Sequence, residues 1–456
     1  MAEESFDLII IGGGPGGYPA AIRAAQLGLK TAVIERDKLG GRCLNYACIP
    51  AKTMLHTAEV LDDARHSEAI GVKVSGAELD WDALGKRRSE VSAGLASGVG
   101  MLLDKNKVTV IEGEGRLTAE ADVQVGDRVF GAGKVILATG SVPVPIPGVD
   151  FSDRVVDTWG AWSLPEQPAT IAVAGAGASG CEIASAYIRY GTEVKLIEMM
   201  DQIMPSEEPD IARVLERRFK KQGIEVSTGT AVGDVVEGKD SVKFTYGDKE
   251  AEVDYLAIAG GRRPDVDALG LEEAGVALGE DGRIAVDELQ RSSNPSVYAI
   301  GDLVRGPALA HKASEEGIVA AEDAAGQQTH PIDLALIPRA TFCHPQVASV
   351  GVSEAEAKES GLTVKSSKFK LGGIGAAAIY DDRDGLVKLV VDDAYGEVLG
   401  AHIVGNRACD MISELVNTMA LEGGYQELSR IVHPHPTMSE AILDAARAVD
   451  DWATHA

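Results

Sequence analysis

FDLIIIGGGPGGYPAAIRAAQLGLKTAVIE, residues 6–35, decides the fold. Phe6 to Ile11, apolar at every position but Asp7, has the pattern of a short buried strand. GGGPGG at 12–17 is a glycine turn, and the alanine-rich stretch to about Leu27 has helical character. Lys30 to Ile34 is a second strand, ending at Glu35. Strand, turn, helix and strand make a βαβ unit. Pro19 lies four residues beyond Pro15, so a helix that starts near Pro15 is expected to kink slightly there.

The pattern occurs twice. IAVAG from residue 171 leads into GAGASG at 175–180, a helix to Tyr190, and the strand EVKLI ending at Glu198. The spacing from first glycine to acid, Gly12 to Glu35 and Gly175 to Glu198, is 23 in both copies. A single GxGxxG also marks ordinary turns, whereas two in the same strand, helix and acid context point to dinucleotide binding. The first glycine (Gly12, Gly175) makes the tight turn and the second (Gly14, Gly177) admits a pyrophosphate. The third (Gly17, Gly180) lets helix and strand pack closely. The pyrophosphate lies on a helix N-terminus, and Glu35 or Glu198 accepts hydrogen bonds from a ribose. Met199, Met200 and Asp201 follow Glu198 with no arginine to meet a 2′-phosphate, which favours NAD over NADP in the second site.

Between the repeats, KVILATG at 134–140 is a strand ending in a turn. VPVPIPG at 142–148 has the look of an extended linker, so a boundary is placed there. SVYAIGD at 296–302 is another strand, running into Gly301 and Asp302. Beyond Ile337 the pattern changes to alternating strands, LVKLVVDD at 386–393 and EVLGAHIVG at 397–405. A helix follows, with Ile412, Leu415, Val416 and Met419 on one face as core or subunit interface. The expected fold class is α/β: two Rossmann-like dinucleotide-binding domains and a C-terminal α+β domain. The expected segments are 1–146, 147–263, 264–337 and 338–456.

Composition narrows the partners. In 456 residues, 43 Lys and Arg against 70 Asp and Glu leave a net charge of -27, which would repel nucleic acid and anionic lipid alike. No apolar run reaches the length of a membrane span, and Met-Ala-Glu-Glu lacks the positive start of a secretory signal, so a cytoplasmic protein is expected. Five cysteines are too few for a disulfide framework. Cys181, Cys343 and Cys409 are isolated and read as small buried residues.

Cys43 and Cys48, in GGRCLNYACIPAK at 40–52, are the exception. On a regular helix their Cα atoms would stand about 8 to 9 Å apart, beyond the roughly 7 Å limit of a disulfide, so bonding requires a distorted helix. Redox work, zinc and two inert thiols are all open. Zinc lacks a second ligand pair nearby, and no other metal set is apparent.

GGRCLNYACIPAK resembles the redox-disulfide segment of the flavoprotein disulfide reductases, and HPHPTMSE at 433–440 resembles the C-terminal signature of their dihydrolipoamide dehydrogenase branch. ATG at 138–140, KLIEMMDQIMP at 195–205, GGRRP at 260–264, YAIGD at 298–302 and LAHKASEEGI at 309–318 extend the resemblance over nearly the whole chain. Relatives that reduce glutathione-like or mercuric substrates are less similar at the tail, where the residues DDWATHA hold no cysteine. The resemblance implies FAD at Gly12, Gly14, Gly17, Glu35, Lys52, Thr139, Gly140, Asp302 and Ala310, and NAD at Gly175, Gly177, Gly180, Glu198 and Gly261. It further implies a Cys43–Cys48 disulfide, with Cys43 meeting substrate and Cys48 beside the flavin, and Lys52 and Glu182 near the flavin's reactive nitrogen. His435, oriented by Glu440, is the acid–base residue, contributed by the other subunit of a homodimer, and His433 is structural or solvent-facing.

The implied activity is NAD-dependent oxidation of dihydrolipoamide. The implied partners are the lipoyl domains and acyltransferase core of 2-oxo acid dehydrogenase complexes, or the lipoyl carrier of glycine cleavage. The acidic charge suits their small basic docking modules. The alternatives are a reductase of another disulfide, a quinone or a metal ion on the same fold, and a non-catalytic flavin-binding subunit. Arg42, Ala47, Ala178, Ser179 and Asp265 depart from the family pattern.

Overall fold

The structure is a computed structural model that describes residues 4–455. These divide into two compact units: residues 4–53, 82–144 and 261–333 form the first, and residues 54–81, 145–260 and 334–455 the second.

The first unit is built around strand Glu4–Ile11, which pairs in parallel with Thr31–Glu35 on one side and with Arg128–Leu137 on the other. Thr109–Glu112 continues the sheet beyond Thr31–Glu35. Val297–Ala299 lies parallel beside Arg128–Leu137, and short antiparallel strands Val123–Val125 and Gly115–Leu117 extend the far edge. The apolar run Leu8 to Ile11 follows from this central position. Ile9 and Ile11 feed one hydrophobic layer, Leu8 and Ile10 the other, and both faces of the strand are covered. Each such side chain contributes roughly 1.5–3 kcal/mol by burial.

The expected kink at Pro19 is not required. The helix starts at Gly17, which places Pro19 in its first turn, where a missing N–H goes unused. The Pro15 carbonyl, which a residue other than proline at 19 would bond, accepts instead from Ser314 Oγ at 2.7 Å. VPVPIPG also differs from the expected linker at its start. Ser141–Pro143 is a strand paired antiparallel with Arg262–Pro264, because two extended segments lie side by side and satisfy each other's backbone groups.

The second unit holds the second βαβ repeat in a five-stranded parallel sheet, ordered Glu225–Ser227, Glu193–Ile197, Thr170–Ala174, Tyr255–Ile258, Val155–Val156. A three-stranded antiparallel sheet, Val232–Glu237, Val242–Tyr246 and Lys249–Val253, packs its apolar residues into the same core. The C-terminal part is a five-stranded antiparallel sheet, ordered Arg339–Thr341, Gln346–Gly351, Val398–Gly405, Leu386–Asp392, Val364–Lys370. Ile412 and Leu415 of helix Ala408–Ala420 are buried in its core, with Val416 and Met419 half-buried against it. Among the described residues no helix is long and apolar enough to cross a membrane.

Candidate functional site

The two glycine loops match in detail. Gly12 has φ +107° and Gly175 φ +100°. A Cβ on Gly12 would fall 2.4 Å from the Ala138 carbonyl oxygen, and one on Gly175 2.6 Å from that of Ala259. Each glycine therefore combines a left-handed turn with contact against the end of the neighbouring parallel strand. A Cβ on Gly17 or Gly180 would strike the carbonyl oxygen of its own first glycine, at 1.8 and 1.9 Å.

The acids close both loops identically. Glu35 Oε2 accepts the Gly13 N–H at 2.7 Å and Oε1 that of Asp37 at 2.9 Å; Glu198 Oε2 accepts that of Ala176 at 2.7 Å and Oε1 that of Met200 at 2.9 Å. The middle glycines face open space: a Cβ on Gly14 meets nothing nearer than 3.8 Å, and one on Gly177 nothing within 4 Å. That is the space a pyrophosphate needs at a helix N-terminus, so both loops fit a dinucleotide. Ala178 and Ser179 are exposed beside Gly177, as are Met199 and Met200 after Glu198.

Cys43 and Cys48 are joined in a disulfide with Cα atoms 4.7 Å apart. The chain through the two cysteines is not one regular helix, as that bond requires. Gly41–Tyr46 ends at Ala47 (φ −136°, ψ −89°), and a new helix, Cys48–His66, starts at the second cysteine. Asn45, buried, ties the first segment down by donating to the Leu39 and Gly41 carbonyls at 3.0 and 2.9 Å. Gly41 packs on Gly14, where a Cβ on Gly41 would fall 2.7 Å from the Gly14 Cα. The disulfide segment is thereby fixed against the first glycine loop. Lys52 lies one turn beyond Cys48.

Around the same unit, Thr139 Oγ1 donates to the Asp265 carbonyl at 2.8 Å, and the Asp265 N–H returns to the Gly140 carbonyl at 3.0 Å. The Asp265 carboxylate pairs with Arg36. Ser141 Oγ donates to Asp302 Oδ2 and accepts from Arg262 Nε at 2.8 Å. Gly261, just before Arg262, has φ +123°. Ala310 opens helix Ala310–Ala324.

Two residues in that helix escaped the sequence reading. Lys312 and Glu316 form a fully buried ion pair at 2.8 Å. Lys312 Nζ donates to the Gly301 carbonyl at 3.0 Å, and Glu316 Oε2 accepts the Gly301 N–H at 2.7 Å. The pair thus grips both sides of the residue before Asp302. Burial pushes the Glu316 carboxyl up from its ordinary value, with Lys312 opposing. The only sequence signal is a Lys and a Glu four apart, which usually marks a solvated helix face.

In the second unit, buried Glu182 accepts the Phe342 N–H at 2.9 Å, and three residues on, Ser185 Oγ accepts that of His344 at 2.8 Å. The tip of the hairpin between Arg339–Thr341 and Gln346–Gly351 is so fastened to helix Ala178–Tyr190. His435 Nδ1 lies 2.9 Å from Glu440 Oε1, and Glu440 Oε2 accepts the Thr437 N–H at 2.9 Å. Burial acts to raise the Glu440 carboxyl, but the Thr437 N–H and His435 outweigh it and hold it below its ordinary value. An ionised Glu440 fixes the proton on Nδ1 and leaves Nε2 as the basic nitrogen of an imidazole that is 74% exposed. His433 is structural: its ring is buried and meets Glu414 at 2.7 Å. Cys181 and Cys343 are buried and Cys409 is half-buried. Among the described residues no three His, Cys, Asp or Glu side chains form a metal-holding group.

Two dinucleotide loops and a disulfide set against one of them define a nucleotide-dependent thiol–disulfide oxidoreductase. The chain belongs to the pyridine nucleotide-disulphide oxidoreductase family, whose model matches residues 6–317, with the family's dimerisation domain matching residues 337–446. Membership implies FAD and NAD(H) as cofactors. The chain is 40% identical over 452 residues to a dihydrolipoyl dehydrogenase of Geobacillus stearothermophilus (96% of this chain, 95% of the relative). It is 41% identical over 461 residues to that of Thermus scotoductus (99% of each). Solved structures like it include LpdA from Mycobacterium tuberculosis (TM-score 0.88, 25% identity, 97% of this chain and 99% of that one). The HOCl-induced flavoprotein disulfide reductase RclA from Escherichia coli is similar as well (TM-score 0.87, 26% identity, the same coverage).

Proposed function

We propose that the protein oxidises the dithiol of a protein-bound dihydrolipoyl group, with NAD as final acceptor, as a homodimer in the cytoplasm. The observation that carries this is the Cys43–Cys48 disulfide beside a dinucleotide loop, in a chain about 40% identical to dihydrolipoyl dehydrogenases along nearly its full length. Residues 1–146 and 264–337 are proposed as the FAD-binding and central parts, 147–263 as the NAD-binding domain and 338–456 as the interface domain.

In this reading a dihydrolipoyl thiolate attacks Cys43 Sγ. The Cys43–Cys48 bond breaks, Cys48 departs as a thiolate, and a mixed disulfide forms. The second substrate thiol gives its proton to His435 Nε2 and attacks its own neighbouring sulfur. Oxidised lipoyl leaves, and Cys43 and Cys48 remain reduced. Glu440 steadies the imidazolium that forms. His435 is contributed to each site by the other copy of the chain. When bound, FAD supplies the two-electron chemistry that returns the cysteines to a disulfide and reduces NAD. Gly12, Gly14, Gly17, Glu35, Thr139, Gly140, Asp302 and Ala310 hold FAD; Gly175, Gly177, Gly180, Glu198 and Gly261 hold NAD. Lys52 and Glu182 serve near the reactive flavin nitrogen. The partners are the lipoyl domains and acyltransferase core of 2-oxo acid dehydrogenase complexes, or the lipoyl carrier of glycine cleavage.

Steady-state turnover tests the reading. Dihydrolipoamide with NAD should exceed oxidised glutathione or quinones with NADH by orders of magnitude in kcat/KM. Equal or reversed preference would assign the chain to another substrate.

A further inference from the structure

His433 stands two residues before His435, in a loop with little backbone support. Pro434 and Pro436 have no N–H to give, and among the described residues no backbone–backbone hydrogen bond reaches residues 432–436. Side chains hold the loop instead. Glu440 of helix Glu440–Arg447 takes the His435 ring and the Thr437 N–H, and Thr437 Oγ1 donates to the Pro434 carbonyl at 2.9 Å. The tie to helix Ala408–Ala420 is His433, through Glu414 of that helix.

Both nitrogens of the His433 ring face acceptors. Nδ1 lies 3.2 Å from the Ile431 carbonyl oxygen, and Nε2 lies 2.7 Å from Glu414 Oε1. A carbonyl oxygen can only accept, so Nδ1 carries a proton. The contact with Glu414 needs a second proton, and an imidazole ordinarily holds one about two pH units more tightly than a carboxylate. The ring is therefore an imidazolium with both N–H groups used. With one proton it would set a lone pair against either the Glu414 carboxylate or the Ile431 carbonyl, and its side chain is only 4% exposed, so little water can replace the lost bond. The hydrogen bond to Glu414 is the main effect that raises His433 above its ordinary 6.5; burial opposes it, and the Ile431 carbonyl and the charges of Glu414 and Glu440 add to the rise.

We propose that the His433 imidazolium is a positioning residue for His435: it clasps the loop to helix Ala408–Ala420, and loss of its proton releases the loop and the acid–base imidazole with it. The inference rests on the functional reading above, in which His435 takes the substrate's proton. A group raised in this way keeps its contact at low pH and loses it as pH rises through the raised value. The dithiol half of the reaction thereby acquires an alkaline limit set outside the reacting groups, which reduction of the flavin by NADH does not share.

Two measurements on the FAD-loaded protein test this. In solid-state NMR of protein carrying ¹⁵N-labelled histidine, the ring signal that disappears in His433→Gln should be doubly protonated at about pH 7.5, a unit above an ordinary imidazole. A neutral ring there overturns the proposal. In stopped-flow, the rate at which dihydrolipoamide reduces wild type is divided by the rate for His433→Gln, so that the titrations of His435 and of the thiols cancel. The ratio should be about tenfold near neutral pH and fall towards one at alkaline pH, with NADH reducing both proteins alike. A ratio near one throughout, or one that stays constant with pH as the loss of a merely structural residue would give, overturns the proposal. Should His433→Gln fail to fold, Glu414→Gln decides: the same ratio should again fall with rising pH, and rates equal to wild type refute the clasp. If dihydrolipoamide reduces wild type at no pH, the functional reading falls instead, and the ring signal judges the clasp by itself.

Discussion

Replacing Lys312 by Met leaves Glu316 as an uncompensated charge in a place where the two side chains are 0% and 2% exposed. Removing one partner of such a pair costs about 3–5 kcal/mol. For a unit of this size each kcal/mol is worth about 2–4 °C, so the transition that includes the first unit should fall on the order of 10 °C. The pair grips Gly301, so FAD affinity should drop with it, since Asp302 is the next residue.

The loss should depend on pH in one direction. Burial raises the folded-state pKa of Glu316 above its ordinary 4.5, and removing Lys312 raises it further. A group raised in this way contributes stability below its unfolded value and loses it as pH rises through the folded one. The deficit of Lys312→Met should therefore shrink as pH falls through the raised value of Glu316 towards the ordinary carboxylate range. Lys312→Met/Glu316→Leu should recover the buried-charge part, leaving the unmet Gly301 N–H and carbonyl at about 1–3 kcal/mol each. Scanning calorimetry of the three proteins, with flavin release followed in parallel, measures both quantities. A single variant melting within about 2 °C of wild type, or a double variant less stable than the single one, would refute the reasoning.

Other predictions concern the second unit. His435→Gln should lower dihydrolipoamide turnover about 10²–10⁴-fold, and Glu440→Gln by less, with the NADH-to-flavin half-reaction unchanged in stopped-flow; an equal loss in both halves would show a structural defect instead. Glu198→Ala frees the Ala176 and Met200 N–H groups and should raise KM for NAD about tenfold, while single-turnover reduction by dithiol stays at the wild-type rate. His344 is held down from 6.5 to about 4, chiefly by burial and secondarily by Arg189 and Arg218. The stability it contributes is thus present above about 6.5 and declines as pH falls towards 4, and His344→Gln should flatten that part of the melting-temperature profile.

The fold was legible wherever the backbone demand was local. Gly12 and Gly175 stand where a left-handed turn meets a neighbouring carbonyl, so the fingerprint itself carries the geometry. The Cys43 to Cys48 spacing stated its own requirement, a broken helix, and Ala47 is where the break falls. What sequence could not reveal depends on distant chain. The Lys312 and Glu316 pair looks like a surface pair until Gly301 and its surroundings cover it. Glu182 gains its partner Phe342 from 160 residues away. The slight kink expected at Pro19 hung on a helix start near Pro15; the helix begins two residues later, at Gly17, which sets the proline well inside the first turn.

The most direct measurement follows the sulfurs themselves. Oxidised holoenzyme is mixed anaerobically with one equivalent of dihydrolipoamide, quenched with a thiol alkylating agent, and mapped by peptide mass. Cys43 and Cys48 should be unlabelled before the dithiol, become labelled after it, and return to the unlabelled state when NAD is added. Labelling that leaves these two cysteines unchanged, or that appears at Cys181, Cys343 or Cys409 instead, would contradict the account.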